Sequence, residues 1–292
     1  MKTGFVALLP TFASIVIACG GDTNGNETAA PSPTTEPAAE IPVVEITKTD
    51  TSFEAPDSIP GGLTRLRFHN AGTEQHAVTL VRFTGEGTME QFLDAVEIGY
   101  TDFAASTAAI LELIEGEGGT GFLAPGGTVE VVLDLVPGRY LIVRFPFRPP
   151  LTRELGVTAA PDAQPAPPES AFTVGMVEFA YEGFPDTLPA GKTTVEVVNP
   201  GEQLHMMDVR RVNQEGITAE QLREFLRGTP QPVEPTLSAA GGMGELAPGG
   251  SAWVTLDLEP GVYTLLCYIF DRAGGTNQLH SQLGMHHAFT VQ

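Results

Sequence analysis

PDSIPGGLTRLRFHNAGTEQHAVTLVRF, residues 56–83, aligns without a gap on PDTLPAGKTTVEVVNPGEQLHMMDVRRV, residues 185–212, at an offset of 129. The relation returns downstream, where LAPGGTVEVVLDLVPGRYLIVRF (123–145) matches LAPGGSAWVTLDLEPGVYTLLCY (246–268) at an offset of 123. Both copies then run through Leu-Gly into a short closing strand. TAAPDAQPAPPESA joins them, a Pro/Ala stretch typical of a domain boundary. The chain therefore reads as two homologous modules, 42–160 and 170–292, with 161–169 as linker.

Each copy follows one grammar. An opening strand leads to a Pro/Gly turn (IPGG or LPAG), then to an alternating strand that ends in Asn-x-Gly. A second strand begins at His76 or His205, and one amphipathic helix follows, TMEQFLDAV or TAEQLREFL, with Phe92 or Leu222 and Phe225 on its apolar side. APGG makes a further turn before a hairpin through LVPGRY or LEPGVY. Short strands at this spacing, broken by Gly and Pro, predict an all-β chain of two tandem Greek-key β-sandwiches, each with a short inserted helix.

Period-two alternation assigns faces. His76, Val78 and Leu80 share an inward row in the first copy, and His205, Met207 and Val209 share it in the second. Met206, Asp208 and Arg210 then face outward, while Met207 and Met243 are packing residues. Tyr263, Leu265, Cys267 and Ile269 lie together, as do Met285, His287, Phe289 and Val291, which turns His286 away.

The N-terminus sets the compartment. MKTGFVALLPTFASIVIAC carries Lys2 and an apolar run too short for a membrane span, which needs about 20 apolar residues, so 1–18 reads as a signal peptide. The small residue before Cys19 resembles the lipobox of bacterial lipoproteins, and that resemblance implies a lipidated Cys19 as mature N-terminus, anchored on the extracytoplasmic side of a bacterial membrane. GGDTNGNETAAPSPTTEPAAE (20–40) lacks aromatics and large aliphatics, so 19–41 reads as a flexible tether. A formal net charge of −21 with 15 basic residues argues against nucleic acid and against polybasic attachment to anionic lipid.

The chain has two cysteines, and lipid consumes one, so Cys267 has no intramolecular partner in a compartment where thiols pair. Such a cysteine is either inert packing or bound to something. PGVYTLLC, with a tyrosine four residues before the thiol, resembles the strand that leads to the copper cysteine of cupredoxins, the plastocyanin and azurin family. HSQLGM followed by HHAFTV resembles their His-x4-Met stretch, and NPGEQLH the segment of their first histidine. The resemblance implies one copper ion in the later module, held by His205, Cys267 and His280 with Met285 as axial ligand, and His287 as a weaker alternative. It implies an electron carrier, not a catalyst, working with a redox partner protein or a copper donor or acceptor. The first copy keeps His76 but has Arg144 at the thiol position and nothing matching His280 or Met285, as a closed site would.

Other chemistries find no support: the chain shows no Ser-His-Asp context, no phosphate-binding glycine loop and no carboxylate pair. GEGTMEQ and EGEGG read as solvated acidic turns. Two further readings remain, a Cu(I)-handling or sensing lipoprotein and a metal-free tandem scaffold, because function does not follow from fold.

Overall fold

A valine pairs with its own repeat: Val131 lies opposite Val254 where strand Thr128–Leu135 runs antiparallel to Ser251–Leu258. The two residues are equivalent at the offset of 123, and so are Thr120 and Met243, which form an isolated bridge in the opposite layer. Equivalent positions meeting face to face define a local two-fold relation, the self-complementary arrangement of a symmetric dimer built here within one chain. The computed structural model describes residues 39–99, 101–144, 150–272 and 278–292. The leader, nearly all of the tether and the expected lipid site Cys19 lie outside these residues.

Two sheets face each other. The first has eight strands in the order Ala180–Glu182, Thr173–Val177, Gly191–Val198, Ser251–Leu258, Thr128–Leu135, Gly62–Asn70, Val43–Lys48 and Phe53–Glu54. The second, of ten, runs from Thr187–Leu188 through His286–Val291, Gly261–Leu266, His205–Val212 and Leu237–Leu246 to the first-copy strands Ile114–Gly119, Thr79–Phe83, Gly138–Arg144, Leu151–Thr158 and Ser58–Pro60. The expected all-β class and two-layer sandwich are thus observed. Both copies share both sheets, and one apolar core runs from Ile46 and Leu66 to Val254 and Phe289.

The repeated sequence signals act through repeated contacts. Tyr140 and Tyr263 are buried with each hydroxyl donating to the carbonyl four residues back, Val136 or Glu259, which closes the preceding Pro-Gly turn. Helices Met89–Ile98 and Ala219–Leu226 open with a reciprocal cap, Thr88 with Gln91 and Thr218 with Gln221, and bury Phe92 and Leu222.

Three expectations change. The first copy has a second helix, Phe103–Leu113, which Asp102 caps by accepting from Ala105 N–H but which no strong amphipathicity marks in the sequence. EGEGG is not a solvated turn but part of strand Ile114–Gly119 at the join between copies. Met206, Asp208 and Arg210 are buried (5%, 0% and 6% exposed), because the other copy covers the face that alternation assigns to solvent. There Arg210 bonds Asp208, whose other oxygen accepts from Phe122 N–H at 2.6 Å, and the guanidinium lies 4.5 Å from the Phe122 ring centre.

Candidate metal centre

Neighbouring strands carry the cluster. Gly261–Leu266 lies between His205–Val212 and His286–Val291, so His205 at the head of one strand and Cys267 just past the end of another share one rim of the sandwich. Twelve residues lie between Cys267 and His280, yet this segment is zipped at its base. Asp271 N–H donates to Gln278 O at 2.8 Å, and His280 N–H to Ile269 O at 2.7 Å. Ser281 N–H donates to Cys267 O at 3.0 Å, and His280 opens the short 3-10 turn His280–Leu283 directly beside the thiol. Met285 N–H donates back to His280 O, and Met285 O accepts from Cys267 N–H.

His205, Cys267 and His280 each offer a ligand atom within 4.8 Å of the others, and all three are fully buried. The two Nδ1 atoms are 3.1 Å apart, and Cys267 Sγ is 3.5 Å from His280 Nδ1. Met285 is fully buried in the adjoining core. His287 is not among the converging residues; its Nε2 lies 3.5 Å from Asp186, and its ring packs on Phe184. His286, which alternation turned outward, is half-buried.

Burial holds the donors neutral. It depresses His205 against the pull of Glu178, and it carries His280, with His205 adding to the effect, down to about 4. Burial pushes the Cys267 thiol up to about 12, against backbone N–H donation to its sulfur from Met206 and Ile269. Two uncharged imidazoles facing through Nδ1 can place only one proton between them, so at least one lone pair is aimed at the shared space. Nε2 of His280 is buried without a hydrogen-bond partner. Separations of 3.1 and 3.5 Å suit donors that bind a common ion at about 2.0–2.3 Å each. Two imidazoles, a thiol and a nearby thioether form a borderline-to-soft set suited to copper. The residues present fit that ion.

A second layer orients the first, and sequence reasoning missed it. Glu178 Oε1 accepts from the N–H groups of Glu202 (2.6 Å) and Gln203 (3.1 Å) and stands 3.5 Å from His205 Nε2. A carboxylate on the far nitrogen leaves the near one free for a metal. Gly201 permits this approach, since a Cβ there would fall 2.8 Å from Glu178 Oε1 and 3.0 Å from His205 Nε2. The Asn-x-Gly signal is explained too: buried Asn199 donates to Gln203 O and Leu246 O, both at 2.8 Å, and fixes the turn that delivers His205. Phe179, next to Glu178, has φ 61°, and its ring packs edge-on against His280 at 5.1 Å. A bulky residue in this left-handed region costs about 1–3 kcal/mol, strain of the kind that collects at functional sites.

The first copy repeats the scaffold without the donors. Asp50 accepts from Thr73 N–H at 2.9 Å and lies 3.3 Å from His76 Nε2, as Glu178 does for His205. Arg144, at the thiol position, places Nη1 3.4 Å from His76 Nδ1.

No family model and no curated protein matches the chain. A solved multicopper oxidase superposes on 86% of this chain and 88% of its own, with 15% identity and a TM-score of 0.26. Dithionite-reduced auracyanin from the photosynthetic bacterium Roseiflexus castenholzii covers 41% of this chain and 95% of its own, at 23% identity and TM-score 0.24. Auracyanin A, a "blue" copper protein from Chloroflexus aurantiacus, covers 40% and 98%, at 21% identity and TM-score 0.28. Superpositions this loose say nothing about the site, which stands on its own distances.

Proposed function

We propose that the second half of the chain holds one copper ion on His205, Cys267 and His280, with Met285 as the fourth ligand, and that the protein carries single electrons. The observation that supports this is the convergence of two neutral imidazoles and a free thiol, all buried, at one end of a stiff sandwich. Copper, when bound, supplies a one-electron couple. The chain's contribution is to hold the donors in place. Glu178 orients His205, the zipped base between Ile269 and His280 fixes the second imidazole, and the N–H groups of Met206 and Ile269 favour the thiolate over the thiol. On the sequence alone we further propose anchoring through lipidated Cys19, outside the cytoplasm, with a redox protein as partner. Among the described residues no helix is long and apolar enough to cross a membrane.

The full chain loaded with copper is expected to show intense visible thiolate-to-copper absorption and a reversible redox titration. Cys267→Ser is expected to abolish the absorption while the apo proteins keep the same far-ultraviolet dichroism. Colourless copper-treated protein with a titratable thiol, or copper held only as Cu(I) at every applied potential, refutes the reading.

A further inference from the structure

A cavity of about 380 Å³ opens where the first copy's extra helix meets the second copy's metal-bearing rim. Its roof is Val96 and Ile110 from the two first-copy helices, and its floor is Met206, Tyr268 and Ile269. This volume falls within the range of about 300–1,000 Å³ typical of small-molecule sites. The walls are apolar apart from Thr and Ser hydroxyls and two charged side chains, Glu245 and Arg272. The helix Phe103–Leu113 belongs to the first copy alone, so the cavity exists where the two-fold relation is broken and is no by-product of the repeat.

Glu245 is the unusual member. No described residue donates a hydrogen bond to its carboxyl, which is half-buried and lines open space. Burial pushes it up to about 7, with Arg272 pulling the other way. An acceptor in a largely apolar cavity without a protein donor gains from a ligand that supplies one. The local cation is already present in Arg272, and an ammonium would have to leave water for largely apolar walls, a cost of several kcal/mol. A neutral hydroxyl avoids that cost.

We infer that this cavity is a binding site for a neutral, mostly apolar molecule bearing one hydroxyl, which donates to Glu245. Its occupancy reaches the metal centre through Met206 and Ile269. The side chains of these two residues line the cavity while their backbone N–H groups donate to Cys267 Sγ. That second statement rests on the copper reading; the binding statement does not.

The test uses 2-naphthol as probe, with naphthalene and 2-naphthoate as controls, titrated into the metal-free full chain by calorimetry. The expected result is saturable one-to-one binding of 2-naphthol, at least tenfold tighter than naphthalene, with 2-naphthoate excluded. Thr107→Trp, which fills the cavity from the helix, is expected to abolish binding. Glu245→Leu is expected to bring 2-naphthol and naphthalene to equal affinity. Dichroism on both variants confirms that they are folded. Absent binding by the wild type, or binding that Thr107→Trp leaves intact, overturns the site. In copper-loaded protein 2-naphthol is expected to shift the visible band. A band that stays fixed at saturation overturns the coupling, and a chain that never colours refutes the copper reading while the metal-free titration still judges the cavity.

Discussion

The carboxyl of Glu245 makes the fold sensitive to pH in a direction opposite to that of its histidines. Its folded pKa is about 7 against an ordinary 4.5, so the proton is held more tightly in the folded chain. The stability this gives is fully present below pH about 4.5 and is lost as pH rises through about 7. A difference of about two and a half units at about 1.4 kcal/mol each amounts to about 3.5 kcal/mol over the full titration. His76, His205, His280, His286 and His287 are all depressed by burial, so their contribution is present above the ordinary imidazole pKa and falls away on acidification. The two trends overlap in the wild type, and Glu245→Gln separates them, because glutamine is neutral throughout and the histidines are common to both proteins. Urea unfolding of the metal-free wild type and variant at pH 5 and pH 8.5 is the assay. The variant is expected to gain about 2.5 kcal/mol on the wild type between those pH values, which for a chain of this size is roughly 5–10 °C in Tm. Parallel stability curves for the two proteins would show that the carboxyl is solvated in both states, and would remove the basis for calling Glu245 an unmet acceptor.

Three other substitutions test the second copy's glycine turns and the first copy's counterpart of the site. Gly242 sits at φ +99°, and a Cβ there would meet Met207 O at 2.1 Å, so Gly242→Ala is expected to cost more than about 3 kcal/mol in chemical denaturation. Gly249 at φ +79° faces open space, so Gly249→Ala is expected to cost only about 1–2 kcal/mol, and equal losses would show that backbone strain alone matters. Lys48 Nζ is buried without a hydrogen-bond partner, and burial with Arg144 nearby lowers its pKa to about 8. Its charge therefore opposes folding below about pH 8 and ceases to do so near 10.5. Lys48→Met is expected to stabilise by about 1–3 kcal/mol at pH 7, with the gain shrinking at pH 10; a constant gain refutes the electrostatic account.

What could be read from the sequence was whatever the repeat states twice. Turn chemistry, the capping pairs Thr88–Gln91 and Thr218–Gln221, and inward rows headed by His76 and His205 are local rules written in both copies. Hidden were the consequences of one copy meeting the other. Alternation gives Met206, Asp208 and Arg210 to solvent because a single sandwich has an outside there, and only the partner copy's strands remove it. The glycines of GGTG (118–121) and GGMG (241–244) look like turn residues, but they permit backbone contact across the seam: a Cβ on Gly121 would fall 2.0 Å from Gly241 O. The carboxylates Asp50 and Glu178 escaped notice because the chain separates each from its histidine by more than twenty residues.

The first copy shows which parts of the site serve the fold and which serve a ligand. Asp50, Asn70 and His76 reproduce the contacts of Glu178, Asn199 and His205 around a position where Arg144 replaces the thiol. Contacts that persist without converging donors must stabilise the turn itself, so the carboxylate–histidine pair is a structural inheritance available for metal binding, not a mark of it. Cys267, His280 and Met285 have no counterparts, and the first two converge with His205 at one rim. His76 keeps its Asp50 contact on one nitrogen and faces Arg144 with the other. Arg144 fills the gap at 3.4 Å, while Lys48 keeps a positive charge beside it that the protein interior opposes.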